Sequence, residues 1–382
     1  MRRRAFRRLL AALLLAPVLA QAQAPLPEVA ARQHLLIDLS GDRVLAEHEA
    51  DAEIDPAGAA TLMTAHLVLT ALQAGRPARE ATLPVSPLAR AERRPGVPLM
   101  YAEGQLQADL LLRGLTTLGA RDAAVALAEG VAGSVDDFVA QMNRRSLALG
   151  LRQTVFRNPT GAPAAGQTST VRDLARLGAR LVADHPQALP LFAMRQFEHA
   201  GVRQDNPNLL LARDGTIDGL AVMASATGGH GVVATALRDT PAGPRRLLVV
   251  LSGATSREAA AGEAQKLLNW GWQSWDAVRL FATGQPVATV PVWQGASNTV
   301  HLGAAGPLVV TVPRGDGTRL RTTVTRTEPL VAPLVQGQVV GRIEVATSGG
   351  TPVVSVPLVV QQAVPLAGVL GRAWDAIRLW IR

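Results

Sequence analysis

One lysine, Lys266, and no cysteine limit the chemistry open to this sequence from the outset. Without cysteine there is no thiolate to act as a nucleophile or to hold a metal. Seven histidines are present. None accompanies a Gly-x-Ser-x-Gly elbow, and no His-Glu-x-x-His pair occurs for zinc. His66 falls on an apolar helical stretch and His230 in the run Gly228-Gly229-His230-Gly231, so each reads as a hydrogen-bonded structural or loop residue. Thr61 and Thr64 offer hydroxyls without a nearby base, and a hydroxyl with no base is a weak nucleophile. No metal and no cofactor is expected.

The elements that would position these groups read clearly. His34 to Leu39, the turn Ser40-Gly41-Asp42-Arg43 and Val44 to Glu47 form a hairpin signature. Residues 56–74 read as a helix opened by Pro56 and closed by Gly75. Leu62, Met63, Leu67, Val68, Leu69 and Leu72 make that helix apolar on most sides, so it belongs in the core. Further helices are expected over 105–130, 134–148, 170–183 and 257–270, with strands at Gly231–Leu237 and Leu247–Leu251. Helices mixed with antiparallel strands predict an α+β domain over 26–275. From about Val287 the chain is valine-rich, with short runs between glycine turns, which predicts a small all-β domain over 283–362. The Arg314-Gly315-Asp316 tripeptide sits in one of those turns and reads as turn chemistry.

Both ends carry address information. Arg2, Arg3, Arg4, Arg7 and Arg8, the apolar stretch Leu9 to Leu19 and Ala20-Gln21-Ala22 have the three parts of an export signal, residues 1–22. Those five arginines leave with the signal, so the formal charge of +8 falls to +3, and the high isoelectric point is no argument for nucleic-acid binding. At the other end Leu366, Val369, Leu370, Trp374, Ile377 and Ile381 repeat at helical spacing, with Arg372, Arg378 and Arg382 opposite. The segment 364–382 is too short and charged to span a bilayer. It fits an amphipathic helix lying in a membrane surface.

The order of these features resembles the low-molecular-weight penicillin-binding proteins, the serine-type D-alanyl-D-alanine carboxypeptidases. Leu36-Ile37-Asp38, Asp55-Pro56-Ala57, Arg113-Gly114-Leu115, Asp122-Ala123-Ala124, Phe156-Arg157-Asn158, Asp218-Gly219, Leu267-Leu268-Asn269-Trp270-Gly271 and Gln338-Val339-Val340-Gly341 carry the resemblance along the mature chain. It implies a penicillin-binding, β-lactamase-like domain with an antiparallel sheet flanked by helices, then a small β domain and a C-terminal membrane anchor. The family's three motifs imply where catalysis would sit. Ser-x-x-Lys at the start of the central helix becomes Gly58 and Thr61; Ser-x-Asn becomes Gly119-Ala120-Arg121; Lys-Thr-Gly becomes Ala221-Val222-Met223. Realignment offers no escape, because Lys266 is preceded three residues earlier by Glu263.

The resemblance and the losses together predict a pseudoenzyme at the periplasmic face of the inner membrane. Its expected partners are peptidoglycan stem peptide or an enzyme of wall synthesis, and the membrane surface, with no nucleic acid. The alternative is an active carboxypeptidase that trims stem peptides. The motif positions Gly58, Thr61, Gly119, Arg121 and Ala221 are expected to meet in one groove at the edge of the main sheet.

Overall fold

The computed structural model describes residues 25–92 and 104–368. The export segment 1–22 and the anchor positions Val369, Leu370, Trp374, Ile377 and Ile381 lie outside the described residues. The first hairpin is β1 (Gln33–Asp38) paired antiparallel with β2 (Arg43–His48). With β3 (Ile217–Ser225), β4 (Gly229–Thr240) and β5 (Gly243–Ala254) it forms a sheet in the order β2-β1-β5-β4-β3. The edge strand β3 is thus reached only after most of the helices have been laid down.

Alternation along the strands gives the sheet two apolar faces. On β5, Leu248 and Val250 enter one core cluster, while Leu247, Val249 and Leu251 enter the other. The first face is covered by α1 (Thr61–Gln73), α2 (Ala108–Leu118), α3 (Arg121–Ala132), α4 (Val135–Ala148) and α5 (Val171–Asp184). The second is covered by α6 (Arg257–Ser274). Hydroxyls cap three of these helices by accepting backbone N–H bonds: Ser134 from Asp137, Thr170 from Asp173 and Ser256 from Ala259. Leu62, Met63, Val68 and Leu69 of α1 are fully enclosed, at about 1.5–3 kcal/mol for each large side chain. That burial anchors the helix at whose start the site lies.

Two expected boundaries move. The stretch read as one helix over 105–130 is two, because Gly119 takes a left-handed φ of 64° and ends α2. The β domain starts at Trp275 and not at residue 283: β6 (Trp275–Phe281) leaves α6 directly and pairs with β9 (Leu308–Pro313). The rest is a sheet in the order β7-β8-β12-β11-β10, from β7 (Ala288–Pro291), β8 (Thr299–Ala304), β10 (Leu320–Arg326), β11 (Val339–Thr347) and β12 (Pro352–Val360). Arg314-Gly315 turn the chain after β9, as turn chemistry predicts.

A buried charge joins the two parts. The Asp38 carboxylate accepts from Arg245 Nε at 2.7 Å and from Thr311 Oγ1 at 2.8 Å, while Arg245 also donates to the Trp275 carbonyl at 2.8 Å. All three side chains are buried.

The expected anchor helix over 364–382 does not begin at 364. Val364 bridges Leu334, Leu366 bridges Gly295, and Ala367 N–H donates to the Gln294 carbonyl at 2.8 Å. Hydrogen bonds to the β domain hold this stretch extended, and Leu366 is exposed there. Among the described residues no helix is long and apolar enough to cross a membrane.

Candidate functional site

The first turn before α1 is set by Asp55, whose Oδ1 accepts the Ala57 N–H at 2.9 Å. Ala57 adopts a left-handed φ of 42°, a sparsely populated conformation for alanine, and leads into a 3-10 turn over Ala57–Ala60. Gly58 therefore faces the edge strand at close range. A Cβ at residue 58 would lie 2.4 Å from the Val222 carbonyl oxygen, closer than real side chains come to backbone. The strand is fastened here from its far end as well: Ser225 Oγ donates to Asp55 Oδ2 at 2.9 Å.

Around this contact lies a cleft of about 290 Å³. Gly58, Thr61, Gly119, Arg121, Ala221 and Val222 all line it, although three separate stretches of chain supply them. Met223 does not line it. Its side chain packs over Gly231 of β4, where the missing Cβ leaves room, and joins the core under the sheet. Sequence reasoning missed Thr160, Phe192, Asn206 and Asn208, which also line the cleft. The Asn206-Pro207-Asn208 turn signature could have marked a loop, but nothing in it points to the cleft.

The hydroxyls are spent inside the fold. Thr61 Oγ1 donates to the Gly58 carbonyl at 2.7 Å, and Thr64 Oγ1 to the Pro159 carbonyl at 2.7 Å. Among the lining residues Arg121 alone is charged, and a guanidinium cannot accept a proton. Lys266 is on α6, across the sheet from α1, where it donates to Glu263 at 2.7 Å and to the Glu28 carbonyl at 2.9 Å. His230 pairs within the sheet opposite Ala254. His66 is enclosed in α1, where its Nε2 accepts from Arg145 Nε at 2.9 Å; burial first, then Arg145, pull its pKa down to about 4. Next to the cleft, Asp122 is pushed up to about 6 by burial, against two backbone N–H bonds that act the other way. No group of three or more metal-ligating side chains occurs among the described residues.

The cleft therefore combines apolar walls with a few donors, and among its described lining residues no hydroxyl is paired with a base. Residues 19–255 match the D-alanyl-D-alanine carboxypeptidase family, and residues 275–366 match the C-terminal domain of penicillin-binding protein 5. The chain is 35% identical over 360 residues to the D-alanyl-D-alanine carboxypeptidase DacC of Escherichia coli K12, covering 92% of this chain and 89% of that one. It is 34% identical over 360 residues to DacA of the same organism, covering 92% of this chain and 88% of that protein. The solved structure of penicillin-binding protein 5 from Haemophilus influenzae superposes with a TM-score of 0.82 at 28% identity, over 89% of this chain and 98% of that one.

Proposed function

This chain belongs to the low-molecular-weight D-alanyl-D-alanine carboxypeptidase family of peptidoglycan metabolism, and from that premise we propose that it is a pseudoenzyme that binds in its cleft without hydrolysing. The observation that carries this reading is the approach of the Val222 carbonyl to Gly58, which fills the space a nucleophilic side chain would need. The absence of any proton acceptor among the charged lining residues supports it independently. The protein acts at the outer face of the inner membrane, exported by residues 1–22 and held by the segment after Gly368. Its partners there are wall stem peptide or an enzyme of wall synthesis. The rival reading, an active carboxypeptidase, draws on the names of the relatives.

A fluorescent β-lactam separates the two. Purified mature protein is incubated with the probe beside penicillin-binding protein 5 of Haemophilus influenzae and run on a denaturing gel. The relative is labelled; this chain is expected to give no band and to release no D-alanine from a stem pentapeptide. A labelled band on this chain overturns the proposal.

A further inference from the structure

Resting on the reading that the segment after Gly368 holds the protein to a membrane, we infer that the β domain itself lies against the lipid. The contact is the end of that domain bearing Val331, Val335, Val339 and Leu366. Two separate observations converge on it, one about how the chain leaves the domain and one about what the domain presents there.

The chain leaves without slack. Ala296 N–H donates to the Pro365 carbonyl at 2.8 Å, Leu366 bridges Gly295, and Ala367 N–H donates to the Gln294 carbonyl at 2.8 Å. The backbone is thus fastened to the domain up to Ala367, while the apolar spacing of the tether resumes at Val369. Only Gly368 lies between them, and one residue reaches at most about 3.6 Å. A tether seated in a membrane surface therefore brings this end of the domain to the same surface.

The end is built to meet it. Among the described residues, Val331, Val335, Val339 and Leu366 are the large apolar side chains that the β domain exposes. Backbone bonds gather them. Val331 bridges Trp293 two residues from Gly295, the partner of Leu366, and Leu334 bridges Val364. Val335 and Val339, 64% and 62% exposed, flank the turn closed by the Gln338 N–H on the Val335 carbonyl at 3.1 Å. Single exposed apolar residues are ordinary, but a set confined to one end marks a contact surface. The stretches that make this end, 292–298, 329–341 and 360–371, contain no Asp, Glu, Lys or Arg. An ionised group is costly at the edge of hydrocarbon, and none has to be carried there. Half-buried Trp293 adds an amphipathic ring of the kind that settles at headgroup depth. A second copy or the chain's own tail would also cover these valines. Lipid is favoured because the exit at Gly368 already delivers it to them.

The chain has no cysteine, so Val335→Cys accepts a polarity-sensitive fluorophore at one site. Leu147→Cys, exposed on α4 of the other domain, is the control. Full-length mature protein is mixed with vesicles of phosphatidylethanolamine and phosphatidylglycerol at about three to one, and sedimentation, emission and iodide quenching are read together. On vesicles the label at 335 should shift to the blue and lose at least about threefold in quenching, while the label at 147 stays unchanged. Val335→Asp combined with Val339→Asp should weaken vesicle affinity at least about tenfold. Both side chains are exposed, so the thermal midpoint should not move. Sedimentation with residue 335 as open to iodide as in solution overturns the inference and leaves the tether standing. Failure to sediment overturns both. Equal shielding of 335 and 147, or unchanged affinity in the double variant, also overturns it. So does shielding of 335 before vesicles are added, which would assign the end to the tail or, where dilution removes it, to a second copy.

Discussion

Gly58→Ser is the substitution that restores a nucleophile on paper and that the structure disfavours. Its Cβ would stand 2.4 Å from the Val222 oxygen, and side-chain carbons stay at least 3.0 Å from such atoms. The strand or the helix start must therefore retreat by at least about 0.6 Å, taking the difference of those two distances. Neither is free to do so. Val222 is in register with Val232 of β4, and Ser225 is bonded to Asp55 just before the turn. Overpacking of this kind costs about 1–3 kcal/mol, and each kcal/mol lowers the midpoint of a domain this size by about 2–4 °C. Gly58→Ala carries the same carbon without the hydroxyl and should lose the same stability, which identifies the cause as steric. Calorimetry measures the midpoint, and fluorescent β-lactam labelling measures the chemistry. No acylation is expected for Gly58→Ser, nor efficient acylation when Thr61→Lys is added, because a base does not restore the space. A Gly58→Ser protein that is as stable as the native one, or that is labelled, refutes the reasoning.

Four other perturbations are equally definite. Asp38→Asn leaves Arg245 buried without its counter-charge and should cost about 3–5 kcal/mol, read as a lower urea midpoint by tryptophan fluorescence; a loss under about 1 kcal/mol would show that the buried pair does not join the two domains. His66, neutral in the fold down to about pH 4, is protonated in the unfolded chain below 6.5, so up to about 3 kcal/mol of stability is lost as pH falls through that window. Asp122 has the opposite sign: its pKa is raised from 3.8 to about 6, so the fold loses up to about 3 kcal/mol as pH rises across that range. Urea midpoints should therefore show Asp122→Asn gaining on the native protein above pH 6 but not at pH 4, and a gain of equal size at both would refute the assignment. For the tether, Trp374→Asp should release the mature protein from membranes at any ionic strength, whereas replacing Arg372, Arg378 and Arg382 should matter mainly at low salt. If deleting residues 369–382 leaves the protein membrane-bound, the anchor lies elsewhere.

What the sequence made legible was whatever depends on pattern. The period of Leu62, Val68, Leu69 and Leu72 placed α1, and the valine runs after 287 announced an all-β part. Boundaries failed where pattern and hydrogen bonding part company. Trp275 to Phe281 follows α6 without a break or a turn residue, so only the pairing with Leu308–Pro313 reveals a strand. Leu366 keeps helical spacing with Val369 and Leu370, yet its neighbours' backbone groups are taken by Gln294 and Leu334. Periodicity describes which face is apolar; it does not say where the N–H groups go.

The site divides in the same way. The resemblance implies missing side chains that a sequence can show: Gly58 for serine, Thr61 for lysine, Ala221 for lysine. The backbone's use of the vacancy is invisible. At residue 58 the strand has come so close that any Cβ collides, and at residue 119 the chain has a left-handed φ of 64°, where serine is strained. On the proposed reading, two of the three motif positions are now held by backbone geometry, with Gly58 packed against β3 and Gly119 ending α2. Met223 has gone into the core over Gly231. A site that had merely lost its reactive groups would accept them back one by one. If the pseudoenzyme proposal holds, a side chain at residue 58 must first undo packing and one at residue 119 a helix terminus, so those two positions are coupled to the fold.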